Sequence, residues 1–207
     1  MNIALIGATG NVGTRILAEL RRRGHTVTAI VRNAAKVPAQ EGVTAKAGDI
    51  GDAAGLAPLL AGHDAVISSI PFSGLDLTSL VTAVKTAAVK RLLIVGGAGS
   101  LEVAPGVALI DTPEFPAAYK AEASAGRDVL NALRQGIAQE GGVEWTFLSP
   151  SAYIFPGERT GQFRLADDQL LVDAEGKSHI SYEDFAVALV DEVESPAHAN
   201  RRFTVGY

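Results

Sequence analysis

Residues 3–16 read IALIGATGNVGTRI: an apolar, strand-like run that gives way within one residue to Gly7, Gly10 and Gly13, with Asn11 and Thr14 among them. Val12, Ile16, Leu17 and Leu20 then recur at helical spacing, and Gly24 supplies a stop. A GxxGxxG pattern at a strand-to-helix turn has a physical purpose. Without side chains the chain can bend tightly, the helix can pack close to the strand, and an anionic group can approach bare backbone amides under the helix dipole.

The same strand-then-helix pattern repeats along the chain. NIALIG, TVTAIVR, VTAKAG, DAVISSI, RLLIVGG, EWTFLSP and RRFTVGY are short β-rich runs separated by helical patterns, which indicates βαβ units and a parallel sheet. The early runs are almost wholly apolar, as when helices cover both faces. The expected fold class is therefore α/β, a doubly wound parallel sheet of the Rossmann type, with residues 1–207 forming one domain. Asp52 is placed to cap a short helix through Leu60, and Ser73 and Asp76 have capping-box spacing before a helix to about Val89. Pro116 precedes the longest helical segment, about 117–139. Beyond Pro150 the chain is richer in turns and charge, and residues 151–181 are expected to form a small C-terminal substrate lobe in which Asp167 and Asp168 join two short strands. Ser181 and Asp184 again have capping-box spacing, before a helix through about Val193.

Composition closes off several classes of function. A net charge of −5 offers no field for nucleic acid or acidic membranes, and the one basic run, Arg21 to Arg23, falls at a helix end where cations complement the dipole. The chain has no cysteine, so thiol catalysis, disulfides and thiolate metal sites are excluded. His25, His63, His179 and His198 stand far apart, without metal-ligand spacing. No P-loop, G-x-S-x-G elbow or H-E-x-x-H occurs. No apolar run approaches membrane-spanning length, and the expected setting is the cytoplasm, as monomer or homodimer.

In this context the glycine turn predicts a dinucleotide site. The end of the second strand reports on the ribose: an acid there binds its hydroxyls and repels a 2′-phosphate, whereas this chain has Arg32, whose fork of donors matches a phosphate. NADP(H) is thus expected over NAD(H). Asp49 ends the third strand, either as acceptor for the adenine amino group, with Ile50 against the ring, or as a plain turn residue. Ser68, Ser69, Ile70 and Pro71 end the fourth strand across the switch point, where their backbone is expected to line the cleft.

GATGNVG, VRN, AGDI, GHDAVISSIPF, VGGAGS and WTFLSP together resemble the atypical short-chain dehydrogenase/reductases, in particular the NmrA-like branch with its NADH-flavin reductase and biliverdin/flavin reductase types. The likeness spans nearly the whole chain. It implies NAD(P)H contacts at Gly7, Ala8, Thr9, Gly10, Asn11 and Val12, at Arg32, Asp49 and Ile50, and along Ser68 to Pro71. It further implies that the loops holding Gly97 and Ser149, Pro150 and Ser151 surround the nicotinamide.

One departure bears on chemistry. Carbonyl-reducing members use Tyr-x-x-x-Lys, because residues four apart share a helix face and the ammonium lowers the phenol pKa. Here Tyr119, Tyr153 and Tyr182 are followed at that distance by Ala123, Gly157 and Ala186. Tyr119 and Lys120 are adjacent and point about 100° apart on a helix, leaving Lys120 to orient the nicotinamide ribose or the substrate. A flavin, quinone or similar planar acceptor takes hydride into a delocalised ring and its proton from water, so it demands less acid catalysis. The expectation is a reductase of such an acceptor, with flavin as a candidate substrate, Ser100 as hydrogen-bonding group, Ser149 and Ser151 as further lining groups, and Tyr153, Phe155 and Phe163 as walls. Two alternatives stand beside it: a non-catalytic NmrA-like sensor of NADP(H), and an epimerase or dehydratase of nucleotide sugars.

Overall fold

In the first strand, β1 (Asn2–Ile6), Ile3 and Leu5 enter one core while Ala4 and Ile6 enter another, the period-two alternation of a sheet buried on both faces. The computed structural model describes all residues 1–207. After β1 come α1 (Asn11–Arg22), β2 (Thr26–Val31), β3 (Val43–Ala47), α2 (Ala53–Leu60), β4 (Ala65–Ser68), α3 (Leu77–Thr86), β5 (Arg91–Val95), β6 (Glu102–Ala104), β7 (Val107–Ala108), α4 (Lys120–Arg134), β8 (Glu144–Ser149), β9 (Tyr153–Phe155), β10 (Arg164–Ala166), β11 (His179–Ser181), α5 (Tyr182–Glu194) and β12 (Arg201–Gly206).

The main sheet has the order β10-β12-β8-β5-β4-β1-β2-β3 and is parallel except for β10. All seven β-rich runs are strands of this sheet, as the alternation predicts. The sheet winds outward in both directions from β1 and β4, and the crevice at their C-terminal ends is where ligands of such folds bind. Helices α1 and α5 cover one face through Ile16, Leu20, Phe185 and Leu189. The other face carries α2, α3 and α4 through Leu56, Leu80 and Leu130, packed on Trp145 and Phe147. Burying a side chain of this size contributes about 1.5–3 kcal/mol.

Several local expectations need correction. The α3 cap is Asp76 alone, which accepts from Ser79 N at 2.9 Å; Ser73 belongs to a short 3-10 turn over Phe72–Gly74. The long helix ends at Arg134 rather than near 139, because the chain turns at Gly136 with φ +102°. Asp167 and Asp168 join no hairpin: β10 pairs antiparallel with β12, and Gln169 forms only a single bridge, to Glu102. Ser181 does cap α5, accepting from Asp184 N, but the buried Asp184 carboxylate turns away from the reciprocal contact toward Thr160 and Gly161. Within residues 151–181, β9 and β11 form a separate parallel pair.

Candidate dinucleotide site

The turn after β1 is built by backbone collision limits. Gly7 has φ +86°, and a Cβ there would run into the Ser69 carbonyl; a Cβ on Gly13 would run into the Gly7 carbonyl. Both positions therefore hold β1, α1 and the end of β4 at contact distance. Gly10 is different: it is the N-cap of α1, and no side chain caps the first turn of the helix. Its orphan amides face outward with the dipole behind them.

These residues open onto a cleft of about 600 Å³ lined by Gly7, Thr9, Gly10, Arg32, Gly48, Asp49, Ile50, Ser69, Ile70, Pro71, Ser73 and Gly74, with Ile6, Ile30 and Val31 beneath. Arg32 is exposed at its rim and enters none of the chain's ion pairs. Asp49 spends one oxygen on Gly51 N at 2.9 Å, a turn contact, while remaining on the cleft wall. An uncapped helix start, an unpaired guanidinium and an apolar slot at Ile50 and Ile70 fit the diphosphate, ribose phosphate and adenine of a phosphorylated dinucleotide.

The structure separates the remaining expected residues. Ala8 is buried in the core under α1, and Asn11 and Val12 open the first helical turn, Asn11 exposed and Val12 packed against the core. Ser68 is buried, its hydroxyl without a partner, so only its backbone belongs to the β4 end. Gly97 lies under the Phe72 ring. Ser149 and Ser151 are corrections: both are buried, and their hydroxyls donate to Gly97 O and Val205 O at 2.9 Å each, so neither is a lining hydroxyl. Pro150 follows at the end of β8 and is likewise buried.

Two contacts went unread in the sequence. Glu122 on α4 accepts the amides of Phe72 and Ser73, fixing the turn that forms one cleft wall, while the Phe72 ring stacks on Phe147 at 5.9 Å. Arg202 on β12 is 3% exposed; it donates to Ser100 Oγ at 3.3 Å and to Asp168. Nothing in the spacing announces Glu122. An arginine inside a buried strand, by contrast, is a signal in itself.

Toward the C-terminal half, Tyr153 stacks on Phe155 with centroids 5.4 Å apart and an 11° interplanar angle, and Phe155 leads on to His179 and Tyr207. Tyr153 is 65% exposed. Phe163 does not join this stack; it packs against the core under α1 and α5. Tyr119 and Lys120 are exposed at the start of α4, and Ala123, one turn further, is in contact range of Gly99.

Fold and cleft together define a Rossmann-type dinucleotide-binding protein of the oxidoreductase kind. More narrowly, the chain belongs to the NAD(P)H-binding family whose model matches residues 7–196. It is 43% identical to the uncharacterized protein YwnB of Bacillus subtilis, over 99% of this chain and 98% of that one. It is similar in structure to a Streptococcus pneumoniae protein provisionally named an NADH-flavin reductase, with 34% identity, a TM-score of 0.84, and coverage of 100% and 99% of the two chains. An NAD(P)H azoreductase of Xenophilus azovorans is 29% identical over 98% of this chain and 67% of its own length. No helix is long and apolar enough to cross a membrane.

Proposed function

We propose that this protein is a reductase that uses NADPH in preference to NADH to reduce a planar conjugated acceptor, a flavin, quinone or azo compound, in the cytoplasm. The observation that carries the reading is the position of its tyrosines. Tyr119 is 67% exposed, Tyr153 is stacked on Phe155, Tyr182 lies beneath Arg15, and Tyr207 is bonded to Ser181 and Asp184. None is paired with a lysine at the cleft, so the site lacks the proton donor that a carbonyl substrate requires.

The reduced cofactor, when bound, supplies hydride. The chain's own residues bind and align: the amides opening α1 hold the diphosphate, Arg32 holds the ribose phosphate, and the turn over Phe72–Gly74 closes the side of the cleft. Lys120 is assigned to the nicotinamide ribose, an assignment supported by its place one turn before Ala123, which lies against Gly99. The exposed Tyr153 face offers a stacking platform, a form of contact suited to flat aromatic molecules. The names carried by the Streptococcus and Xenophilus relatives support the same acceptor class.

The absent phenol–ammonium pair also favours a second reading, a sensor that binds NADP(H) without turnover. Loss of nicotinamide absorbance with FMN, menadione, dichlorophenolindophenol or an azo dye decides between them. Turnover with one or more of these is expected. Calorimetric NADP binding with no turnover on any of them would establish the sensor instead.

A further inference from the structure

We propose that Gly126, within α4, is a positioning residue for the dinucleotide: it seats the Phe72 ring and so fixes the wall of the cleft that follows β4. The inference rests only on the cleft holding NAD(P)(H), which the reductase and sensor readings share, and adds to both the device that sets the shape of the site.

Glycine inside a helix is destabilising relative to alanine. Gly126 is nevertheless buried in the interior of α4, and its φ is not left-handed, so backbone freedom does not account for it. Space does. A Cβ at Gly126 would lie 2.6 Å from Cε2 of Phe72 and 2.8 Å from its Cδ2. Gly97, after β5, faces the same ring, and a Cβ there would lie 3.2 Å from Cε2. Gly96 repeats the device for Phe147, whose ring a Cβ would strike and on which Phe72 stacks at 5.9 Å and 15°. Three glycines make room for two stacked rings.

The residues around that ring belong to the nucleotide site. Pro71, Ser73 and Gly74 line the cleft, while Phe72 between them lies against Gly126 and Gly97. Glu122 stands one turn before Gly126 on the same helix face and accepts the amides of Phe72 and Ser73. α4 therefore grips residue 72 at two points, a carboxylate on the backbone and a glycine slot on the ring. Between them Ala123 rests on Gly99, where a Cβ would lie 2.7 Å from the alanine Cβ. The same stretch of α4 holds both the cleft wall and the loop after β5.

The two grips differ in kind. Hydrogen bonds to two consecutive amides leave the turn free to pivot about the carboxylate. A flat ring seated against Gly97, Gly126 and Phe147 removes that pivot, because a close-packed contact does not yield to an added methyl without moving its neighbours. Displacing the ring moves Pro71, Ser73 and Gly74 together, and a bound dinucleotide loses its fit along that wall.

The test is a double-mutant cycle read by calorimetric NADPH binding to the full-length protein. Gly126→Ala places a methyl where the ring lies and is expected to raise Kd about twentyfold, although alanine is the better helix former. Phe72→Val removes Cδ2, Cε2 and Cζ, the three atoms nearest to that methyl; alone it is expected to raise Kd about threefold, with Glu122 still holding the turn. In the Phe72→Val background, Gly126→Ala is expected to change Kd by less than about twofold. The doubly substituted protein then binds more tightly than Gly126→Ala, a rescue that general damage to α4 does not produce; circular dichroism and urea denaturation confirm the fold of each variant. Wild-type affinity in Gly126→Ala, or an equal loss in both backgrounds, overturns the proposal and leaves the dinucleotide reading in place. Wild-type affinity in Phe72→Val does the same, and decides the matter should Gly126→Ala fail to fold. Binding of neither NADPH nor NADH by the unaltered protein removes the dinucleotide reading itself, and this proposal with it.

Discussion

Glu122 on the first turn of α4 accepts the backbone amide of Ser73 at 3.1 Å, and its other oxygen accepts that of Phe72. A carboxylate from one helix thereby holds a turn that forms part of the cleft wall. Pro71, Ser73 and Gly74 line that side, so the shape of the nucleotide site depends on a residue that does not line it. Glu122→Ala is expected to weaken NADPH binding by about fivefold to tenfold, the worth of a charged hydrogen bond shared between two amides, with the fold intact. Fluorescence titration of NADPH measures it. An unchanged Kd would mean that Phe72 packing alone holds the turn.

The glycines at 13 and 24 separate close approach from backbone freedom. A Cβ at Gly13 collides with the Gly7 carbonyl, whereas a Cβ at Gly24 meets nothing within 4 Å although φ is +80°. Gly13→Ala is expected to abolish measurable NADP binding and to cost several kcal/mol. Gly24→Ala should cost about 1 kcal/mol and leave affinity alone. Calorimetry and urea denaturation on the two variants check the contrast; equal effects would contradict the close-approach role of Gly13.

The proposed preference for NADPH rests on Arg32, an exposed guanidinium lining the cleft. Arg32→Ala is expected to lower the preference for NADPH over NADH by about tenfold or more, and Arg32→Asp to lower it further, because the carboxylate repels the 2′-phosphate. Parallel Kd measurements for both cofactors suffice. A constant ratio across the three proteins would place 2′-phosphate recognition elsewhere.

Glu19 on α1 is 5% exposed and accepts two hydrogen bonds from Arg159 at 2.8 Å each, with Arg23 at 2.7 Å. The bonds from Arg159 outweigh burial and bring its pKa down to about 2 from an ordinary 4.5. A carboxyl with a depressed folded-state pKa stabilises the fold above its unfolded pKa, and that contribution disappears as pH falls from about 4.5 toward 2. With Arg159 one third exposed, screening leaves about 1–2 kcal/mol. Glu19→Gln should lose this amount at pH 7 and show a flatter stability profile below pH 4.5 in denaturant titrations. Identical profiles for variant and wild type would refute the assignment.

Tyr153 tests the stacking platform directly. Tyr153→Ala is expected to raise KM for menadione about fivefold to tenfold, the range of a stacking contact with its buried area, while the Kd of NADPH stays constant. A parallel rise in both would point to general disorder of the segment after β8.

The sheet was legible because its strands carry their own signal. Apolar β-branched runs such as TVTAIV bury side chains on both faces, and no other arrangement of them hides that surface. The glycine turn was legible for a similar reason: the positive φ of Gly7 and the approach of Gly13 to the Gly7 carbonyl are local backbone requirements, although the contact of Gly7 with Ser69 is not. The expectations that failed involve serines. Ser149 and Ser151 end or follow a strand whose end faces the site, yet their hydroxyls turn inward to Gly97 O and Val205 O, and that choice depends on partners about fifty residues away. Ser73 does not cap α3, because the helix begins only after Asp76, whose carboxylate accepts from Ser79 N, while the Ser73 amide is held by Glu122.

By itself, then, the sequence determined the doubly wound sheet, the turn where a diphosphate can meet bare amides, the place of Arg32 at the rim, and the lack of a Tyr-x-x-x-Lys pair. These are local in origin: periodicity, glycine sterics and helix spacing act over a few residues. The tertiary structure alone decided which polar groups remain free. Glu122 reaches Ser73 across 49 residues and Arg202 reaches Ser100 across 102, and whether a hydroxyl is spent on a carbonyl or left to donate follows from what folding places beside it. Buried polar groups must find partners, and the chain finds them at separations that no spacing rule records.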